Sequence, residues 1–281
     1  MSYPPGMLEP LIAQFSSRGM PALETEAGLV ELAGRLRLWD QHATTTAHPD
    51  GSVSGQADIT ERIVRFGDGA PEGALPAHLP EMLAASRKAV AAGTPVVVMS
   101  ECTLVPPVLA AVRERHPDVR LIWIDAHGDL NTPDTTPSGF LGGMPFAQLL
   151  GWCFDDWRRL AGLEPPLPED RAVLVGGRDL DPGERENVDR SQLHESDDAL
   201  GALAALPADA PLYVHVDTDV LDPSLTPDAG FPAPGGWSVE RMRSEVSALG
   251  ASGRVVALSI CPSAPPALDA EGLAPLVEAL R

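Results

Sequence analysis

Four carboxylates and an imidazole fall in two short stretches of this chain, each at the end of an apolar run. In the first, Leu121-Ile122-Trp123-Ile124 leads into Asp125, His127 and Asp129. In the second, Leu212-Tyr213-Val214-His215-Val216 leads into Asp217 and Asp219, with Asp222-Pro223 beyond. A helix-capping Asp beside a surface His accounts for one acid, not for two flanking a histidine. Asp125 and Asp217 in one low-dielectric cleft repel each other and are badly solvated, so a cation belongs between them. Carboxylate and imidazole donors suit borderline divalent ions such as manganese. Two divalent ions roughly 3.5–4 Å apart would offset the acids' charge and hold a water acidic enough to give hydroxide near neutral pH. The chemistry implied is hydrolysis by metal-bound hydroxide, with Asp129 the nearest group able to accept a proton.

Residues so placed need strands whose ends open on a crevice. Short β-rich runs alternate with helical patterns along the chain, which predicts a single doubly wound α/β domain, a mostly parallel sheet with helices on both faces. Strands are expected at Pro10–Phe15, Pro95–Ser100, Arg120–Asp125, Ala172–Gly176, Leu212–Asp217 and Val255–Ile260. Helical spacing marks Glu24–Leu38, Pro80–Ala92, Pro107–Glu114, Asp197–Leu206, Val239–Leu249 and Glu271–Leu280. Gln41 to Pro76, rich in Gly, Pro, Thr and Asp, reads as one long loop. In open α/β sheets the carboxyl ends of strands face the ligand, which puts both acidic stretches at one site.

Bulk composition narrows the partners. The 281 residues carry 20 basic and 40 acidic side chains, a net charge of −20 that repels phosphate backbones and anionic lipid heads. This excludes nucleic acid and membranes as partners and favours cationic or neutral small molecules, although a merely solvated surface accounts for the acidity too. No apolar run approaches the roughly 20 residues of a membrane helix, and the first residues lack a basic and apolar leader pattern. Cys102, Cys153 and Cys261 have neither disulfide-ladder nor zinc-knuckle spacing, so a reducing cytoplasm is expected. Nothing in the composition excludes a homo-oligomer.

Four segments together resemble the ureohydrolases, the arginase and agmatinase superfamily. They are Asp125-Ala-His127-Gly-Asp129; Asn131-Thr-Pro with Ser138-Gly139; Gly176-Gly-Arg178-Asp179-Leu-Asp181-Pro-Gly-Glu184; and Asp217-Thr-Asp219 with Asp222-Pro223. The likeness covers roughly Pro95 to Pro265, about two thirds of the chain by strand order. It implies an arginase-like α/β fold and a pair of manganese ions that hydrolyse guanidino compounds. Asp125 and Asp217 would bridge the ions, Asp129 would help complete the first site, and His127 with Asp219 the second. The resemblance also assigns Asn131 and Ser138 to a substrate α-carboxylate and Asp181 to its α-amino group. Ordinary turn hydrogen bonds, or pairing of Asp179 and Asp181 with Arg178 or a helix cap, remain open alternatives.

Three departures stand out. Where the family usually reads Gly-Gly-Asp-His, with the His a metal ligand, this chain reads Met99-Ser100-Glu101-Cys102, so Cys102 takes the ligand place. A thiolate there favours zinc or iron more than imidazole does, unless Cys102 is simply a small buried side chain. With Thr-Pro-Asp-Thr-Thr and Phe-Leu-Gly-Gly-Met, it is most similar to the branch hydrolysing N-omega-hydroxyarginine in D-cycloserine biosynthesis. Secondly, Gly142 occupies the place of a proton-shuttling His. Thirdly, Ser259 stands where a Glu would anchor guanidinium, with no acid adjacent in Ile260-Cys261-Pro262-Ser263. His215 shares a strand face with Asp217, either as a substitute proton relay or as a satisfied core histidine. The expected substrate is therefore a guanidino or N-hydroxyguanidino compound, with an amide or formimidoyl group, or loss of catalysis altogether, as alternatives.

Overall fold

The structure is a computed structural model describing residues 8–15, 26–38, 46–47, 53–54, 63–66, 75–99, 101–227 and 229–281. Its strands are β1 (Glu9–Phe15), β2 (Thr46–Ala47), β3 (Val53–Ser54), β4 (Ile63–Phe66), β5 (Pro95–Met99), β6 (Arg120–Ile124), β7 (Ala172–Val175), β8 (His194–Ser196), β9 (Leu212–Asp217) and β10 (Val255–Cys261). Eight of them form one sheet in the order β4-β1-β5-β10-β9-β6-β7-β8, and every pairing is parallel. β2 and β3 make a separate antiparallel pair.

A parallel sheet needs both faces covered, and the alternation of side chains provides two apolar faces. Val97, Met99, Leu121, Trp123, Leu174 and Tyr213 face one core, packed by α2 (Leu75–Ala92), α3 (Val105–Arg115) and α4 (Pro145–Leu150). Val96, Val98, Ile122, Ile124, Val214 and Val216 face the other, packed by α1 (Glu26–Arg35), α7 (Ala199–Ala205), α8 (Val239–Ala251) and α9 (Pro266–Ala279). Two further helices, α5 (Asp155–Leu160) and α6 (Pro182–Arg190), lie between β6 and β8 in the chain. Among the described residues no helix is long and apolar enough to cross a membrane.

The six expected strands and six expected helices all form, with ends shifted by a few residues, and the sheet is wholly rather than mostly parallel. Ser100, Glu24 and Thr25, and most of Gln41 to Pro76, lie outside the described residues. That stretch is not one loop, however: β4 within it pairs with β1, from Ile63 opposite Ile12 to Phe66 opposite Phe15, and α2 already begins at Leu75. Periodicity misses α6 because its sequence, PGERENVDR, buries only Glu184 and Val188. Its start is set instead by capping, Glu184 Oε2 accepting from the Asp181 N–H at 2.8 Å. β5 and β6, consecutive strands of the sheet, are separated in space by β10 and β9, so four strand ends frame a single crevice.

Candidate metal centre

Strand alternation decides which side chains reach the crevice. On β6 the residues Leu121, Trp123 and Asp125 share a face; on β9 Tyr213, His215 and Asp217 do; and on β10 Ala257, Ser259 and Cys261 do. Register puts Ser259 opposite His215 and Cys261 opposite Asp217. Each of these strands therefore carries apolar residues at its start and polar ones at its carboxyl end. Beyond β6 the chain turns through Asp129, whose φ of +53° lies in the left-handed region that Asp tolerates better than most side chains. A 3-10 turn after β5 (Cys102–Leu104) brings in Cys102.

These elements enclose a cavity of about 470 Å³ lined by Glu101, Cys102, Asp125, His127, Asp129, Asn131, Ser138, Asp181, Glu184, Asp217, Asp219 and Cys261, with Phe140 and Phe231 at its side. Donor atoms gather in three overlapping groups, each with all its ligand atoms within 4.8 Å of one another: Asp125, His127 and Asp219; Cys102, Asp125 and Asp129; Cys102, Asp217 and Cys261. Asp125 is common to the first two groups, and Asp217 falls with the thiols. His127 Nδ1 lies 2.9 Å from Asp219 Oδ2 and 3.4 Å from Asp125 Oδ1. Trp123 Nε1 donates to Asp125 Oδ2 at 3.0 Å and holds that carboxylate at the strand end. Backbone N–H groups of His127 and Asp219 donate to Asp125 and Asp217, at 2.7 and 2.9 Å.

The electrostatics call for positive charge. Burial, with Asp219 and Asp217 nearby, pushes Asp125 well above the usual carboxylate range, and burial with Asp125 does the same to Asp129. Burial and Asp219 push Asp217 up to about 6. Burial alone would lower His127, but its contacts with Asp125 and Asp219 hold it up at about 12. The same contact outweighs burial at Asp219 and keeps that carboxyl low. An imidazolium thus stands in for a cation between two carboxylates, while His127 Nε2 is buried with no hydrogen-bond partner among the described residues. Oxygen and imidazole donors around a buried acidic cluster fit divalent ions.

A chain of hydrogen bonds runs beneath the site. Tyr213 OH donates to Ser259 Oγ at 2.8 Å, Ser259 Oγ meets His215 Nδ1 at 2.8 Å, His215 Nε2 meets Cys102 Sγ at 3.2 Å, and Cys102 Sγ donates to Asp217 Oδ2 at 3.2 Å. His215 is fully buried under Trp123, with ring centroids 4.0 Å apart, and burial lowers its pKa to about 3, so it is neutral. It lies behind Cys102, away from the cavity wall. Ser259 is fully buried too. Asn131 Nδ2 donates to Asp181 Oδ2 at 2.9 Å, and Ser138 is exposed at the rim, its Oγ accepting from the Phe140 N–H.

Three features were not legible in the residues taken singly. Glu101 is a buried acid on the cavity wall, although the sequence near Ser259 holds none. Cys261 joins the centre, a placement that alternation from Ser259 and pairing with Asp217 would have signalled. Among the described residues Arg178 pairs with no carboxylate: it donates to the carbonyls of Asp219, Val220, Leu221, Ala233 and Pro234 at 2.9–3.2 Å. It thereby clamps the segment after β9 that carries Asp219 and Phe231.

A parallel α/β sheet with acids, imidazole and thiols gathered at its central strand ends defines the class: an α/β protein with a group of side chains that could hold metal ions. The model of the arginase family matches residues 42–276, and the chain belongs to that family. It is 37% identical over 158 residues to N(omega)-hydroxy-L-arginine amidinohydrolase of Streptomyces lavendulae, covering 55% of each chain. It is 35% identical over 156 residues to the arginase of Bacillus subtilis (strain 168), covering 51% of this chain and 52% of that one. The chain thus spans about half the length of the curated relatives it matches. A crystal structure of arginase from Bacillus subtilis superposes with a TM-score of 0.73 at 23% identity, covering 97% of this chain and 98% of that one, a likeness of fold.

Proposed function

We propose that this protein is a metal-dependent hydrolase acting in the cytoplasm on a C–N bond of a small guanidino compound, with an N-hydroxyguanidine such as N-omega-hydroxyarginine as its substrate. The observation that carries the reading is the convergence of Cys102, Asp125, His127, Asp129, Asp217 and Asp219 on one cavity. When bound by these residues, a pair of divalent ions, manganese at the oxygen and imidazole donors, supplies neutralising charge and the Lewis acidity that makes water nucleophilic.

The chain's own groups do the rest. Asp129, turned into the site by its left-handed backbone, accepts the proton of the attacking water. Asn131, Ser138 and Asp181, on one side of the cavity, hold the polar end of the substrate. Phe140 and Phe231, ring centroids 5.1 Å apart, form an apolar wall at the side of the cavity. His215, sealed behind Cys102, acts through that sulfur and not on the substrate.

The hydroxylated substrate is favoured because Gly142 provides no proton shuttle and Ser259 no anchor. An N-hydroxyguanidine nitrogen is less basic, so it needs neither as badly. Product analysis on metal-loaded protein tests the proposal. Hydroxyurea from N-omega-hydroxyarginine, with little urea from arginine, is the expected result. Formamide release from a formimidoyl compound would replace it with an amidohydrolase, and no product from any of these would indicate a non-catalytic relative.

A further inference from the structure

Two thiols meet at the floor of the cavity. Cys102 comes from the turn after β5 and Cys261 ends β10, and both are reduced and buried yet line the cavity. Their sulfur atoms and one Asp217 oxygen all lie within 4.8 Å of one another. Two sulfurs and a carboxylate, open on one side to the cavity, form a donor set of the kind that holds zinc and keeps a fourth position for water or substrate. Manganese prefers oxygen and nitrogen donors, so the second sulfur shifts the preference further than Cys102 alone.

The surroundings prepare Cys102 as a ligand. Because Tyr213 OH donates to Ser259 Oγ, the Ser259 proton is left for His215 Nδ1, and the neutral imidazole carries its own proton on Nε2. That N–H points at Cys102 Sγ from 3.2 Å. A donor behind a ligand atom fixes its orientation. Ser263 Oγ, donating to Asp217 Oδ1 at 3.0 Å, fixes the third donor in the same way.

We propose that Cys102, Cys261 and Asp217 form a thiolate subsite selective for zinc, beside a harder subsite at Asp125, His127 and Asp219 that takes manganese, with the Asp217 carboxylate shared between the two. The centre is then built for two unlike ions. This rests on the two-ion reading above and extends it to the identity of each ion.

Titration of metal-free protein with cobalt(II) tests the assignment without relying on turnover. Thiolate ligation gives cobalt a near-ultraviolet charge-transfer band that oxygen and imidazole ligation does not. The band should appear in the wild type, fall to roughly half in Cys102→Ser and in Cys261→Ser, and vanish in the double variant. In wild-type protein, zinc should erase the band at concentrations where manganese leaves it intact. Absence of the band, a band unchanged by Cys261→Ser, or erasure by manganese as readily as by zinc would overturn the subsite. Turnover of N-omega-hydroxyarginine, measured on the same protein, separates the two proposals. A thiolate band without turnover keeps the subsite and removes the hydrolase reading, whereas turnover of manganese-loaded protein without a band does the reverse.

Discussion

The ring of Phe140 occupies the space into which any side chain at Gly142 would project: a Cβ added at Gly142 would overlap the Phe140 ring. A side chain at position 142 and the Phe140 ring therefore compete for one volume. Gly142→His alone should gain nothing on arginine, because the imidazole is displaced unless Phe140 swings away. Phe140→Asn with Gly142→His, which clears the ring and supplies the imidazole together, should raise kcat/KM for arginine by about tenfold or more, roughly 1.4 kcal/mol. Equal rates for single and double variants would refute this competition.

Asp217→Ala should remove both ions from the centre. Its carboxylate meets Cys102 Sγ through Oδ2 and accepts from Asp219 N–H and Ser263 Oγ through Oδ1, so it links the two halves of the site. Metal analysis after chelator-free purification checks this. Retention of one ion would refute the bridging role.

Cys102→His should tighten manganese binding by about tenfold and weaken zinc, since imidazole suits manganese better than thiolate does. Cys102→Ser should weaken both. Calorimetric titration with each ion distinguishes these outcomes from a packing role, in which neither substitution changes affinity.

Arg178→Lys should destabilise the fold by about 2–4 kcal/mol, because one ammonium cannot serve five carbonyls fanned around a guanidinium. The segment carrying Asp219 should loosen with it, lowering affinity at the Asp125, His127 and Asp219 group while cobalt–thiolate absorption persists. Urea unfolding and metal stoichiometry on one preparation measure both effects.

N-omega-hydroxyarginine should exceed arginine in kcat/KM by about tenfold or more, a transition-state preference of roughly 1.4 kcal/mol. Steady-state assays on both compounds with manganese-loaded protein test this. Comparable rates would show that Gly142 and Ser259 do not set the preference.

Local sequence determined a good deal of this protein. Hydrophobic runs of β character and helices of 3.6-residue period marked six strands and six helices, because burial on a two-sided parallel sheet demands that pattern. Apolar runs ending in Asp125, His127, Asp129, Asp217 and Asp219 marked the candidate site, since an acid ends such a run where the strand leaves the core. β4 and α6 escaped for a local reason: β4 is a four-residue run set in a stretch rich in Gly, Pro, Thr and Asp, and α6 depends on a cap more than on an apolar face. Other features depend on pairing between distant strands, which no window along the chain contains. Register between β9 and β10 set Cys261 beside Asp217 and Ser259 beside His215. The turn after β5 delivered Cys102 to them across 115 residues of sequence. Which acids lie together, which histidine is sealed from the cavity, and which two sulfurs meet were decided by the sheet order, because only tertiary contact removes water from those groups and makes their mutual charge and donor chemistry count.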